Sequence, residues 1–185
     1  MILEGEGVLI LKLKYHIVAI LKQFGYRLLY GKRISWGAGT TFRSGFHLMI
    51  EGQGQVRIGD HCFFNHDCSI NCLDQVEIGT GTICGEGVRI YDHNHRFSDA
   101  TTPIKEQGYV TSPVQIGSHC WIGSNVVILR RARIGDHCVI GAGCVVNGIV
   151  ADNTIVSSTQ NETISNCRKD YGESDAKIIR NHGDV

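Results

Sequence analysis

The chain has 185 residues, a length that suits one domain, and its 18 basic and 18 acidic side chains cancel. Zero net charge gives no footing for nucleic acid, and no run of 18 apolar residues is present to cross a membrane as a helix. Glycine is abundant at 23 and proline scarce at 2, so the chain turns often without rigid breaks.

The first residues, MILEGEGV, are acidic and lack a small-residue cleavage site, so no secretory signal is expected there. Residues 8–30 read as a helix within an N-terminal cap, 1–32. Leu13, Ile17, Ile20, Leu21, Phe24 and Leu28 fall near one face, with Lys12, Lys22 and Arg27 elsewhere. Two roles are open to it. It can cover the first coil of a solenoid, whose ends need caps, or lie as a basic amphipathic helix on the inner membrane surface.

From Ile34 a six-residue beat begins loosely, becomes regular at Ile58 and runs to about Val156, giving a repeat domain over 33–156. It is clearest from Ile116 to Val146, where Ile116, Ile122, Ile128, Ile134, Ile140 and Val146 form one column. Fixed self-similarity outranks local propensity as a clue to fold. Six residues make one short side of a triangle with its corner, and three sides close an 18-residue coil. The aliphatic points inward, and the glycine that often follows it is expected to ease the turn. Stacked coils pair as parallel strands about 4.8 Å apart. The fold class is therefore an all-β solenoid. Upstream, Ile58, Phe64 and Ile70 recur as Ile78, Cys84 and Ile90, 20 positions on, with two extra residues near Cys72-Leu73-Asp74. Between Ile90 and Ile116 the spacing opens to 26, so residues 92–113 leave the solenoid as a loop. Such insertions map to binding faces. The tail, 157–185, is polar and has no hexapeptide column. It is expected to be irregular or to form a short helix.

Of eight cysteines, those at 62, 68, 120, 138 and 144 hold the fifth place of a hexapeptide and Cys84 the first, with no CxxC pair. They read as small buried residues of a reducing compartment rather than as metal ligands or a disulfide frame. His61, His119 and His137 share the fourth place and should stack outward. No ligand spacing matches an established zinc site, so no metal is expected. His93 and His95, in IYDHNHRF, stand where the loop departs from a rigid strand. There an imidazole suits proton transfer near neutrality, and an ordinary polar loop fits equally.

With those residues in place, the chain resembles the hexapeptide-repeat acyltransferases of the left-handed parallel β-helix. It is most similar to the maltose, galactoside, xenobiotic and polysaccharide O-acetyltransferases. The resemblance covers about residues 50–156 and is carried by FNHDCSINCLDQVEIG, IYDHNHRF and SPVQIGSHCWIGSNVVIL followed by RIGDHCVIGAGCVV. Left-handedness comes only from this likeness, since parallel crossovers are ordinarily right-handed. The resemblance implies an acetyl-CoA-dependent O-acetyltransferase of the cytoplasm, acting on a sugar hydroxyl of a surface polysaccharide or its precursor. An antibiotic or amino-sugar acceptor, or an inactive trimeric homologue, are the alternatives. His95 matches the family's catalytic base, with His93 its rival, and Asn65 the cleft asparagine. Trp121 matches the tryptophan beside the acyl-CoA groove. Gly123 and Ser124, then Gly141 and Ala142, match backbone along the pantetheine arm. Sites between neighbouring prisms imply a homotrimer. Asp92, Asp74 or a backbone carbonyl would fix the imidazole's tautomer.

The chain departs from the family after Val146. The usual lysine and Gly-Pro turn near the CoA nucleotide are absent. Arg130, Arg131, Arg133, Arg168 and Lys169 are the candidates to neutralise its phosphates.

Overall fold

The six-residue beat folds, in the computed structural model, into a three-sided parallel solenoid of about six turns. The structure describes residues 6–157 and 163–166, with side chains described from 13 to 157. The first side holds β1 (Ile34–Trp36), β4 (Gln55–Ile58), β7 (Gln75–Ile78), β12 (Val114–Ile116), β15 (Arg133–Ile134) and β18 (Ile149–Val150). The second holds β2 (Thr41–Phe42), β5 (Phe63–Phe64), β8 (Ile83–Cys84), β13 (Trp121–Ile122), β16 (Val139–Ile140) and β19 (Thr154–Ser157). The third holds β3 (His47–Ile50), β6 (Ser69–Cys72), β9 (Arg89–Tyr91), β14 (Val127–Ile128) and β17 (Val145–Val146).

The register follows the sequence columns. Ile58 pairs Ile78, Phe64 pairs Cys84 and Ile70 pairs Ile90, so the 20-residue coil holds. Ile78 then pairs Ile116, and Ile90 pairs Ile128, so the stack resumes across the long loop without a slip. The inward column is fully buried: Ile122 and Ile128 are 0% exposed. Burying each such side chain contributes about 1.5–3 kcal/mol.

The fifth place carries more than a small residue. At the first corner, Thr40, Cys62, Thr82, Cys120 and Cys138 lie in one column. Each donates an O–H or S–H to a corner carbonyl of the next coil: those of Gly59, Gly79, Gly117, Gly135 and Ala151, at 2.7–3.1 Å. A small donor satisfies an oxygen that would otherwise be buried without a partner. Burial pushes the Cys68 and Cys120 thiols up to about 11.

The glycine after the aliphatic works differently from the sequence expectation. Left-handed φ falls instead on the fourth place, at His61 (54°), His119 (57°) and His137 (57°). Histidine, asparagine and aspartate tolerate that conformation better than most residues. The glycines are there because coils stack backbone against backbone. A Cβ on Gly117 would lie 2.5 Å from the carbonyl carbon of Gly135. His119 and His137 stack on the surface, with ring centroids 5.2 Å apart and planes 13° from parallel.

The helix α1 (Glu6–Tyr30) covers the open end of the first coil, over Trp36, Phe42 and Phe46. Its packed face is Ala19, Gln23, Tyr26 and Tyr30, not the aliphatic face that the sequence makes conspicuous. The reason is hydrogen bonding. Alternate residues of coil one bond to coil two, which leaves the carbonyls of the residues between them, Thr40, Phe46 and Leu48, facing the end. Gln23 Nε2 donates to the Thr40 carbonyl at 2.8 Å, Tyr30 Oη to Leu48 at 3.2 Å and Tyr26 Oη to Phe46 at 3.4 Å. Aliphatic side chains have nothing to give those oxygens. At the other end, β20 (Thr163–Asn166) pairs antiparallel with β19. The tail therefore begins with a capping strand where an irregular segment or short helix was expected.

Candidate active site

The loop leaves from the third corner of the third coil, just after Ile90 and Tyr91. Asp92 sits there with no exposure. Its carboxylate accepts the backbone N–H of Leu73 at 2.9 Å and of Asp74 at 2.7 Å, and the Cys72 Sγ at 3.2 Å. Burial, then the neighbouring Asp92 charge, push the Cys72 thiol up to about 12. The two residues that lengthen the second coil are thus the ones that present N–H groups to Asp92. His93 Nδ1 lies 2.9 Å from Asp92 Oδ1. The Asp92 carbonyl accepts the N–H of Ser112, which closes the base of the loop.

Beyond this joint, β10 (His93–His95) pairs antiparallel with β11 (Tyr109–Thr111). Alternation puts His93 and His95 on one face and Asn94 on the other. The Tyr109 ring lies with them, 5.3 Å from His93 and 4.6 Å from His95 between centroids. The His93 side chain is 18% exposed and His95 is open to solvent. The hairpin is extended by Arg96, whose Nε donates to the Tyr109 carbonyl at 2.9 Å. Asp99 then ties the tip: it accepts from the Thr101 and Thr102 hydroxyls at 2.6 Å, which hold its carboxyl down to about 2. Gln107 donates to the Asp99 and Thr102 carbonyls.

On its other face Asn94 borders a cavity of about 280 Å³ with Leu129, Arg130, Arg131, Asn147 and Gly148. These are the third corners of the two coils stacked above the loop. Arg130 Nε is buried there without a hydrogen-bond partner among the described residues. Arg133 lies outward on the first side. Arg168 and Lys169 fall outside the described residues.

The remaining residues singled out in the sequence gather at a different edge. Trp121 lies outward on the second side, 56% exposed, between Ile83 and Val139 in the strand register. Gly123 and Ser124 follow it into the second corner, and Gly141 and Ala142 stack above them. A Cβ on Gly123 would meet the Ala142 nitrogen at 2.6 Å, so two coils touch there. Asn65 is at the same corner two coils below and accepts the N–H of His66 at 2.9 Å. The histidine hairpin departs from the third corner, across the width of the third side. Strands of that side have up to four residues, so the edges stand on the order of 15 Å apart. Among the described residues no hydrogen bond or ring contact joins His93 or His95 to Asn65 or Trp121.

Sequence reasoning left the orienting group of the histidines open among several, and overlooked Tyr109 and the Asn94 cavity. The signal for Asp92 was present in the two-residue insertion at Leu73 and Asp74. Among the described residues no three His, Cys, Asp or Glu side chains converge on a point that would hold a metal ion.

Comparison with known proteins follows this layout. Residues 113–148 match the family model of the bacterial transferase hexapeptide (six repeats). A protein of Mycobacterium tuberculosis named a probable acetyltransferase is 36% identical over 125 residues, 68% of this chain and 42% of that one. An Escherichia coli protein described as an O-acetyl transferase of lipopolysaccharide biosynthesis is 29% identical over 128 residues, 64% of this chain and 65% of that one. The chain thus spans about half the length of the curated relatives it matches. A hexapeptide-repeat acetyltransferase of Vibrio cholerae, solved with acetyl coenzyme A, superposes with a TM-score of 0.59 at 28% identity, over 71% of this chain and 73% of that one. Residues 113–148 thus carry the hexapeptide repeat of the bacterial transferases, and over its solenoid the chain is similar to acetyltransferases.

Proposed function

We propose that this protein is an acetyl-CoA-dependent O-acetyltransferase that acts on a sugar hydroxyl, in a glycan or glycan precursor, through a histidine general base. The observation that carries the reading is the interruption of a regular solenoid by a short hairpin that presents two imidazoles, at a joint fixed by the buried Asp92. The lipopolysaccharide relative supports a glycan acceptor. Exposed Phe97 and Ile104 give the loop apolar surface on which a sugar ring can lie.

The site is assembled between protomers of a homotrimer. The second side carries an outward apolar column of Ile83, Trp121 and Val139, which suits packing against a copy. Side-by-side prisms bring the third corner of one protomer, with its hairpin, to the second corner of the next, with Trp121, Gly123, Ser124, Gly141, Ala142 and Asn65. The pantetheine arm lies along the closely stacked backbone at Gly123 and Ala142, where no side chain stands in the way. Arg130 and Arg131, one coil above the hairpin, face the phosphates in place of the missing lysine and Gly-Pro turn.

Acetyl-CoA supplies an activated thioester carbonyl. His95 accepts the proton of the acceptor hydroxyl as that oxygen bonds to the acetyl carbon, and returns it to the departing thiolate. His95 is the exposed imidazole, at the position that matches the family's base. A second reading makes His93 the base, and the 2.9 Å contact with Asp92 favours it, because a carboxylate on Nδ1 leaves Nε2 free to take a proton.

The test is release of free CoA with a panel of sugar acceptors. His95→Ala should lose about 10²–10⁴-fold in turnover while melting at the wild-type temperature. If His95→Ala is unimpaired and His93→Ala carries the loss, the second reading stands. Unchanged turnover in both variants overturns the histidine mechanism.

A further inference from the structure

The solenoid leaves one large apolar surface without a partner. Leu13, Ile17, Ile20, Leu21, Phe24 and Leu28 of α1 are 50–80% exposed. At 3.6 residues per turn they fall within an arc of about 100°, on the far side of the helix from Ala19, Tyr26 and Tyr30. Helices of soluble domains turn such a stripe toward the core. Here the opposite face is taken by the donors that the end coil's carbonyls require, so the stripe points away from the protein.

The flanks of the stripe are basic. Arg27 and His16 border one side and Lys14 the other, with Lys22 further round toward the packed face, and all are exposed. From Gly7 to Ile50 the sequence holds seven Lys and Arg and no Asp or Glu. With Glu4 and Glu6 counted, residues 1–50 carry a net +5, and 51–185 the opposite −5, because the whole is neutral. Charge is therefore separated toward the helical end of the molecule. The described helix is not long and apolar enough to cross a membrane. An aliphatic stripe whose described flanks carry lysine and arginine and no acid is the pattern of a helix lying in the plane of a bilayer interface.

We propose that the outward face of α1 docks this protein on an anionic phospholipid surface. Leu21, Phe24 and Leu28 enter the acyl boundary while Lys14, Lys22 and Arg27 meet headgroup phosphates. A second copy is the poorer occupant. The stripe lies over the end of the coil stack rather than on its flat sides, and two such faces brought together oppose lysine to lysine, with no carboxylate among the described side chains of the helix. The docking does not depend on the acyl-transfer reading, although it would hold an acetyltransferase beside membrane-bound acceptors.

The experiment is cosedimentation of the full chain with vesicles of phosphatidylcholine alone or mixed with phosphatidylglycerol, across a salt series. Binding to the mixed vesicles should be at least about tenfold tighter than to phosphatidylcholine and should weaken as salt rises. Leu21→Glu with Leu28→Glu should abolish it, and Lys14→Gln with Arg27→Gln should weaken it about thirtyfold, both with unchanged melting. Neither pair touches the proposed active site, so CoA release with a soluble sugar should be unaffected. Failure of that assay in the wild type would sink the enzyme reading and leave vesicle binding intact. Absence of vesicle binding, or equal binding by the Leu21/Leu28 variant, overturns the docking. So does lipid-free self-association that the same variant abolishes, since the face would then belong to a contact between copies.

Discussion

The coils and the excursion between them are built on opposite principles. In the coils every role is repeated. The inward aliphatic, the left-handed fourth residue and, at the first corner, the donating fifth residue recur up the stack. In residues 92–113 each contact occurs once. Among the described residues, Asp92 joins the loop to the coil below, Arg96 extends the hairpin, and Asp99 and Gln107 tie its tip. Repetition makes a scaffold whose energy is spread along the axis, whereas singular contacts place particular groups. Substitutions of the inward residues of the coils should therefore show mainly as lost stability, and those in the excursion mainly as altered activity.

The sharpest contrast is expected at Ile122, which has no exposure and sits mid-stack. Ile122→Ala should cost about 2–5 kcal/mol in urea denaturation, through lost transfer energy and the cavity left behind. An equal loss from an exposed residue of the loop would break the distinction. Asp92→Asn stands at the boundary and should show both effects. The amide turns an N–H toward the Leu73 or Asp74 N–H, costing about 1–3 kcal/mol, and it releases His93, so CoA release should fall as well. A loss of stability with full turnover would make Asp92 a purely structural joint.

Titration separates the regions too. The thiols of Cys68, Cys120 and Cys72 are raised from 9.0 in the folded state, chiefly by burial. The stability they give is whole below pH 9. It declines as pH climbs toward about 11 for Cys68 and Cys120 and about 12 for Cys72, because the unfolded chain ionises first. At pH 8 these thiols should resist iodoacetamide in the native protein and react once it is denatured, as mass spectrometry would show. Rapid native alkylation would mean that the coils open readily. The smallest effect is expected at Asp99, which is exposed. Asp99→Ala should change global stability by less than about 0.5 kcal/mol, yet it should speed proteolytic cutting within 92–113.

The sequence made the stack legible because the solenoid is a local code. Ile58 recurring at Ile78, and Ile116 at Ile134, fixed register without knowledge of anything distant. It was silent wherever an answer depended on what lay alongside. The periodicity of α1 drew an apolar face correctly but left its partner open between the solenoid end and a membrane surface, since the end coil's outward carbonyls are a property of the assembled stack. The grip of Asp92 on two N–H groups 18 and 19 residues earlier arises only when one coil lies on the next. The capping strand at 163–166 carries no hexapeptide column and exists because the last coil has an edge to cover. The likeness to known enzymes picked out His95, Trp121 and Ala142 as members of one site, whereas one protomer holds them on different edges.

That separation gives the most direct test. His95→Ala removes the proposed base, and Ala142→Trp fills the proposed acyl groove at an exposed corner without touching the core. Each variant should be inactive alone in the CoA-release assay. Coassembled in equal amounts, they should recover about a quarter of wild-type turnover, because every mixed trimer contains one interface with both halves intact. Mixed trimers with no recovered turnover would contradict a site shared between protomers, and activity in either pure variant would remove that residue from it.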